Sequence, residues 1–179
     1  MHYQQVLQFW FEQLTPKQWW LKDEDMDSLI CNRFGDLHSQ AHQCELFDWR
    51  QSAKGRLAEV IVLDQFSRNM FRDTPQSFAS DNLALVLAQE AIAIGADKKL
   101  SPVERTFLYM PFMHSESKAI HQIAEKLFKA NGNEDNYRFE LRHKEIIDQF
   151  GRYPHRNMIL GRQSNEQELE FLSQPGSSF

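Results

Sequence analysis

The stretch LAEVIVLDQFSRNMFRD, residues 57–73, is predicted to form a helix that is apolar on nearly every side. A helix advances by about 100° per residue, so side chains three or four positions apart share a face. One face carries Leu57, Val60, Ile61, Asp64, Arg68 and Phe71, with Arg72 at its edge, and the opposite face carries Leu63, Phe66 and Met70. Because a helix that is apolar on both sides is usually enclosed by its neighbours, we expect this helix at the centre of the fold.

Three charged side chains lie on this central helix, where burial is costly unless each one finds a partner or a ligand. Asp64 and Arg68 are four residues apart, which is the spacing of a helical ion pair, whereas Arg72 has no local partner except Asp73. Two interpretations stay open. The charges form a buried salt-bridge network that joins helices, or they line an anion pocket in which Arg72 and an arginine from elsewhere are free to bind.

The composition is that of an ordinary globular protein, with 41% hydrophobic and 25% charged residues in 179, and we expect one domain over residues 1–179. A net charge of −5 and a pI of about 5.8 argue against binding to nucleic acid or to an anionic membrane surface.

No apolar run in the sequence approaches the ~20 residues that span a bilayer. The start, MHYQQVLQFWF, lacks the features of a secretory signal, so we expect a cytoplasmic protein. Two cysteines are too few for a disulfide scaffold, and no cofactor is predicted.

Nearly every segment of the chain has helical periodicity, and almost none alternates as a strand would. Residues 23–44 are expected to form one long helix or two that break near Gly35. Residues 101–104, SPVE, form a capping box that starts a helix at Pro102, and Pro111 should bend or end that helix. The sum is an all-α fold of seven to eight antiparallel helices joined by short turns.

Three motifs combine arginine, histidine or carboxylate with aromatic residues and contain no lysine: LDQFSRNMFRD (63–73), YMPFMHSE (109–116) and GRYPHRNMILGR (151–162). Arginine is preferred where a planar fork must bind a carboxylate or phosphate. The first hypothesis is therefore a pocket for a small anionic molecule or the carboxylate of a peptide end. The candidate ligand-binding residues are Asp64, Arg68, Arg72, Tyr109, Arg152, His155, Arg156 and Asn157. The sequence leaves the oligomeric state open.

Two other functions also fit the sequence. In a hydrolase, His114 or Glu116 would act as general base, with Asp64 nearby and arginines stabilising a developing anion. In an interaction scaffold, the motifs would only lock helices together, and a partner would bind an outer groove. The sequence has no GxGxxG, Walker, GxSxG or HExxH motif, and Ser67 has no sequence-local base. A metal site built from His114, Glu116, His121 and His155 is disfavoured, and no metal is predicted.

The three motifs resemble those of an uncharacterised bacterial family, domain of unknown function 924. The matching stretches are FWFEQL (9–14), VLDQFSRNMFRDT (62–74) with FASD (78–81), ERTFLYMPFMHSE (104–116), FGRYPHRNMILGR (150–162) and GSSF (176–179). The resemblance implies a tetratricopeptide-like superhelical arrangement of the helices. It implies no activity and no residue roles, so the roles assigned above rest on the residues alone.

Overall fold

The computed structural model describes residues 1–177, in which every regular element is helical. The all-α prediction is confirmed. Ser178 and Phe179, the last residues of the GSSF motif, lie outside the described part of the chain. Within residues 1–177 there are eight helices: α1 (Tyr3–Gln8, continued by the π-helical Phe9–Gln13), α2 (Glu24–His42), α3 (Ala53–Ile61, continued by the π-helical Val62–Phe66 and by Ser67–Met70), α4 (Asp81–Ala93), α5 (Pro102–Met113), α6 (Lys118–Asn131), α7 (Glu134–Phe150) and α8 (Glu166–Leu172). Short 3-10 helices occupy Gln18–Trp20, Phe47–Gln51, Pro75–Phe78, Asp97–Lys99 and Pro154–Arg156.

Local sequence signals set most helix ends. The capping box at Ser101 starts α5 at Pro102 as predicted. Helix α2 is unbroken at Gly35, so the alternative of two helices was wrong. Pro111 lies inside α5, which continues for two residues beyond it and ends at Met113. The proline has no N–H to donate to the Phe107 carbonyl, so the helix loses one hydrogen bond there.

Helix α3 is the centre of the packing, as its sequence predicted. It contacts α1, α2, α4 and α5, and every residue from 57 to 67 is buried. The central π-helical segment widens the helix at the point where Asp64 enters the core. Such π turns are frequent at functional sites. The helix that carries the first motif is therefore enclosed, and its charges must be satisfied by neighbouring elements.

The second half of the chain is a series of neighbours, in which α5 packs on α6 and α6 packs on α7. The third motif follows α7 and folds back onto the end of α5, where the Tyr153 hydroxyl donates to the Met113 carbonyl at 2.5 Å. The tetratricopeptide-like superhelix stays a prediction. None of the helices in residues 1–177 combines the length and the apolar character that crossing a bilayer requires.

Candidate functional site

A cleft of about 250 Å³ lies between the second motif, the third motif and the start of α4. Its walls come from three parts of the chain, namely residues 75–85, residues 111–116 and the loop that contains Arg156 and Leu160. Charged or polar side chains in these walls are Asp81, Asn82, His114, Ser115, Glu116 and Arg156. The volume is below the ~300–1,000 Å³ of common ligand pockets, which restricts the site to a small ligand or to one end of a larger one.

His114, in the wall of this cleft, forms a hydrogen-bonded pair with the fully buried Asp64. Asp64 Oδ1 lies 2.7 Å from His114 Nδ1, and Gln65 Nε2 donates to Asp64 Oδ2 at 2.7 Å. Burial alone would raise the pKa of Asp64, but the charge of Arg68 and the contact with His114 outweigh it and lower the pKa below its usual range. Burial and then the charge of Arg68 lower the pKa of His114. At neutral pH the pair is therefore a carboxylate and a neutral imidazole whose Nδ1 carries the proton.

Arg68 connects the central helix to α4 through two carboxylates. Its Nη1 and Nη2 atoms donate to both oxygens of Asp81 at 2.9 and 3.0 Å. The same Nη1 donates to the Asp64 carbonyl at 2.8 Å and lies 3.3 Å from Asp64 Oδ1. The i,i+4 ion pair predicted between Asp64 and Arg68 is present, and Asp81 completes it.

Arg156 is the arginine in the cleft with few hydrogen bonds. It is 6% exposed, and its guanidinium carbon lies 4.5 Å from the ring centres of both Phe78 and Tyr153. Within residues 1–177 the side chain makes one long hydrogen bond, 3.4 Å from Nη1 to Asp81 Oδ2, and Nε is buried without a partner. Burial and then the charge of Arg68 lower the pKa of Arg156. The two rings hold its position while most of its five donors remain unused.

Glu116 lines the same cleft but is already bound. Arg162 donates to both of its oxygens at 2.6 and 2.9 Å, and the Tyr153 backbone N–H donates to Oε1 at 2.8 Å. Although burial opposes the change, the hydrogen bond from Arg162 lowers the pKa of Glu116. A carboxylate held in this way is a poor general base, because proton uptake would break an ion pair. The structure therefore pairs His114 with Asp64 and not with Glu116.

Of the predicted site residues, His114, Glu116 and Arg156 line the cleft, and Asp64 and Arg68 lie behind it through their contacts with His114 and Asp81. Other predicted site residues have partners elsewhere. Arg72 makes a two-pronged contact with Asp27 of α2 at 2.6 and 2.8 Å, so it is not the free arginine that its sequence context indicated. The Tyr109 hydroxyl donates to Asp97 Oδ2 at 2.8 Å. Burial and this hydrogen bond raise the pKa of Tyr109, which fixes it as a buried donor.

The remaining candidates from the third motif stabilise their own loop. Arg152 donates to both oxygens of Glu168 on α8 at 2.6 and 2.8 Å. Asn157 Nδ2 donates to Ser164 Oγ at 3.0 Å. Burial, followed by the charge of Arg156, lowers the pKa of His155 to about 4. The ligand-binding roles of Arg152, His155 and Asn157 stay predictions. What the structure shows is that Arg152 and Asn157 form contacts within or next to the loop that carries Arg156.

Phe78 and Asp81 are among the cleft residues that sequence reasoning missed as site residues. Both lie in the FASD stretch, in which Ser80 and Asp81 were predicted only as possible caps of α4. Sequence reasoning also missed His38, whose Nε2 lies 2.7 Å from Ser67 Oγ. That contact is structural, because the fully buried Ser67 hydroxyl donates its proton to the Leu63 carbonyl at 2.6 Å. Ser67 is therefore no nucleophile.

Another cleft, of about 340 Å³, lies along α2 beside Arg33. The Arg33 guanidinium is already engaged, since it donates to Gln13 Oε1 at 2.8 Å and lies about 5 Å from the rings of Phe9 and Phe34. Residues 1–177 contain no group of three His, Cys, Asp or Glu side chains that could hold a metal ion. The cleft at His114 and Arg156 is thus the stronger candidate.

Comparisons with known proteins agree with this fold. The model of a family described as bacterial protein of unknown function (DUF924) matches residues 6–176. Among solved structures, the chain is similar to a protein of unknown function from Agrobacterium tumefaciens, with 37% identity, coverage of 96% of each chain and a TM-score of 0.91. No curated protein matches the chain. The similarity extends over nearly the whole chain, and both the family and the solved structure are described as being of unknown function.

Proposed function

This chain belongs to the bacterial family of proteins of unknown function DUF924, and we propose that its cleft binds a small anion through Arg156. The observation that carries the proposal is a buried guanidinium with one long hydrogen bond in the described residues. Leaving a buried charged donor unsatisfied costs more free energy than leaving a neutral one unsatisfied. A carboxylate or phosphate in the cleft, in contact with Arg156, would supply the missing acceptors.

The surroundings of Arg156 support an anion as ligand. Asp81 is committed to Arg68 by two shorter hydrogen bonds, so it satisfies Arg156 only weakly. The rings of Phe78 and Tyr153 contact the guanidinium through their π systems and take up none of its N–H donors. His114 presents an imidazole to the same cleft. We propose a ligand that places its charge at Arg156 and a polar group at His114.

The test is a comparison of anion-induced stabilisation in matched arginine variants. Succinate and inorganic phosphate should raise the Tm of the wild-type protein, by roughly 5–10 °C at 100 times Kd, while equal ionic strength of chloride should not. Arg156→Gln should lose this increase. The control Arg72→Gln, which loses an ion pair to α2, should have a lower starting Tm and keep the increase. Equal increases in wild type and Arg156→Gln, or none in either, would refute anion binding at this site.

An interaction scaffold is the second candidate, and one observation favours it. Four arginines of the motifs are bound by carboxylates of other elements, namely Arg68 by Asp81, Arg72 by Asp27, Arg152 by Glu168 and Arg162 by Glu116. In that case the motifs join helices and Arg156 is one more structural residue. Loss of stability without loss of an anion effect in Arg156→Gln would favour it.

Three broader expectations belong to the same proposal. We propose that the chain forms one domain. A large cluster of buried apolar residues extends from Val6 to Phe128, and a smaller one around Tyr153 is joined to it by the hydrogen bond from Tyr153 to the Met113 carbonyl. We also propose a tetratricopeptide-like arrangement of the helices and a cytoplasmic location. The order of packing, in which α5, α6 and α7 each contact the next, supports the arrangement.

A further inference from the structure

We propose that the cleft is catalytic, and that His114 acts as the general base in the hydrolysis of a small ester that carries a carboxylate or phosphate group. The inference rests on the proposed function, because Arg156 is taken to hold the anionic group of the substrate. It goes beyond binding by assigning a reaction to the Asp64–His114 pair.

The first argument is the orientation of His114. Asp64 is fully buried, and its two oxygens are fixed by His114 Nδ1 at 2.7 Å, Gln65 Nε2 at 2.7 Å and Arg68 Nη1 at 3.3 Å. A carboxylate accepts hydrogen bonds and does not donate them, so the imidazole proton lies on Nδ1. The lone pair then lies on Nε2, for which the described residues provide no hydrogen-bond partner. A carboxylate that fixes the tautomer of a histidine in this way is the arrangement found in catalytic triads.

The second argument is the protonation state of His114, the proposed base. Burial and the neighbouring Arg68 lower the pKa of His114, so its imidazole is neutral and able to accept a proton at pH 7. The His114 side chain is 14% exposed, and the residue lines the cleft. Glu116 is unsuited to this role because Arg162 binds both of its oxygens.

The proposed reaction is balanced without an oxidant, a reductant or a covalent intermediate. His114 Nε2 takes a proton from a water molecule as the water oxygen forms a bond to the ester carbonyl carbon. The carbon–oxygen bond to the leaving group then breaks, and the imidazolium returns the proton to the leaving oxygen. The products are an acid and an alcohol, and His114 is neutral again. Asp64 acts as a positioning residue that stabilises the imidazolium and keeps its proton on Nδ1.

The experiment compares the hydrolysis of 4-nitrophenyl hydrogen succinate with that of 4-nitrophenyl acetate, which lacks the carboxylate. Wild-type protein should hydrolyse the charged ester with the higher kcat/KM. His114→Gln should lower this value by about 100-fold or more while still binding succinate in calorimetry. Asp64→Asn should also lower it and alter its pH profile, because the amide reverses the preferred tautomer. Arg72→Gln, outside the cleft, is the control and should retain kcat/KM.

A second measurement does not depend on the chosen ester. Nitrogen-15 NMR of the His114 ring should show the neutral tautomer with the proton on Nδ1. Arg156-dependent succinate binding without hydrolysis of the ester would overturn the catalytic inference and leave the anion site intact. A proton on Nε2 would overturn it as well. Absence of succinate binding would refute the proposed function and this inference together.

Discussion

The arginines of the three motifs differ in how many of their donors are already bound. Arg72 binds Asp27, and Arg68 binds Asp81, each through two short hydrogen bonds. Arg156 makes one long hydrogen bond within residues 1–177. A ligand stabilises an underbonded cation more than a satisfied one, because the satisfied one must first give up its partner. The number of hydrogen bonds therefore separates a candidate binding arginine from structural ones.

The contact between Arg72 and Asp27 should stabilise the packing of α2 on α3. Arg72→Ala is expected to lower the free energy of unfolding by about 1–3 kcal/mol, since Asp27 would keep its charge in a largely buried position. The matched control is Lys22→Ala, which removes the exposed ion pair with Asp73 and should change stability by less than about 0.5 kcal/mol. Urea unfolding measures the free energy of unfolding of both variants. Equal losses in the two variants would contradict a special role for Arg72.

At the residue scale, sequence reasoning found the charges but only some of their partners. The pairing of Asp64 with Arg68 follows from a spacing of four residues on one helix. The contacts of Arg72 with Asp27, and of Arg68 with Asp81, depend on how α2 and α4 pack against α3. No local spacing encodes such packing, so the sequence left open whether Arg72 is bound or free, and the contact with Asp27 agrees with the salt-bridge interpretation.

Gly55 sits where helix α3 begins, against the backbone of the preceding 3-10 helix Phe47–Gln51. A Cβ atom added there would lie 2.0 Å from the Trp49 carbonyl oxygen, which belongs to the main chain and cannot rotate away. Gly55→Ala should lower stability by about 2 kcal/mol, as overpacked sites do. In α2, a Cβ at Gly35 would meet nothing within 4 Å, so Gly35→Ala should raise stability by about 0.5–1 kcal/mol. Thermal unfolding of both variants tests the contrast, and equal effects would contradict it.

At the element scale, capping signals predicted helix ends well, and changes of helix type were not predicted. Ser101 caps α5 at the expected residue, and Gly132 and Gly151 end α6 and α7 in the left-handed conformation. These signals are local, because they depend on hydrogen bonds within one turn. The π-helical segment of α3 has no comparable signature in its residues, since it results from how the helix is packed.

The whole molecule should lose stability as the pH falls below about 6.5. Burial lowers the pKa of His38 and His155 to about 4 and that of His143 to about 3. Between these values and the unfolded value of about 6.5, the unfolded chain binds protons that the folded chain does not. Each such histidine makes unfolding easier by about 1.4 kcal/mol per pH unit, so stability is complete above pH 6.5 and falls towards pH 4.

Urea unfolding at pH 7.5, 6.5, 5.5 and 4.5 measures this dependence. Carboxylates with lowered pKa values, such as Glu168 at about 2, lose their contribution only at lower pH and do not mask it. Glu140 acts in the opposite direction, because burial raises its pKa, so the observed loss should be smaller than the sum for the histidines. Constant stability from pH 7.5 to 5.5 would contradict the prediction.

At the scale of the whole molecule, the fold class and the central position of residues 57–67 followed from apolar periodicity alone. The meeting of the three motifs was indicated by their shared lack of lysine, and contacts of Asp64 with His114 and of Tyr153 with Met113 confirm it. The cleft itself was not predictable, because its shape depends on where residues 75–81 cross the ends of α3 and α5.

A π turn holds one residue more than an α-helical turn, because each of its hydrogen bonds spans five residues and not four. A related chain without that residue in Val62–Phe66 would align here with a one-residue gap. Because the π turn takes up the extra residue, the helix on either side of the gap would keep its phase, and the residues aligned with Ser67–Met70 would face the same neighbours. A relative with the gap would therefore keep the fold and lose only the wider turn beside Asp64.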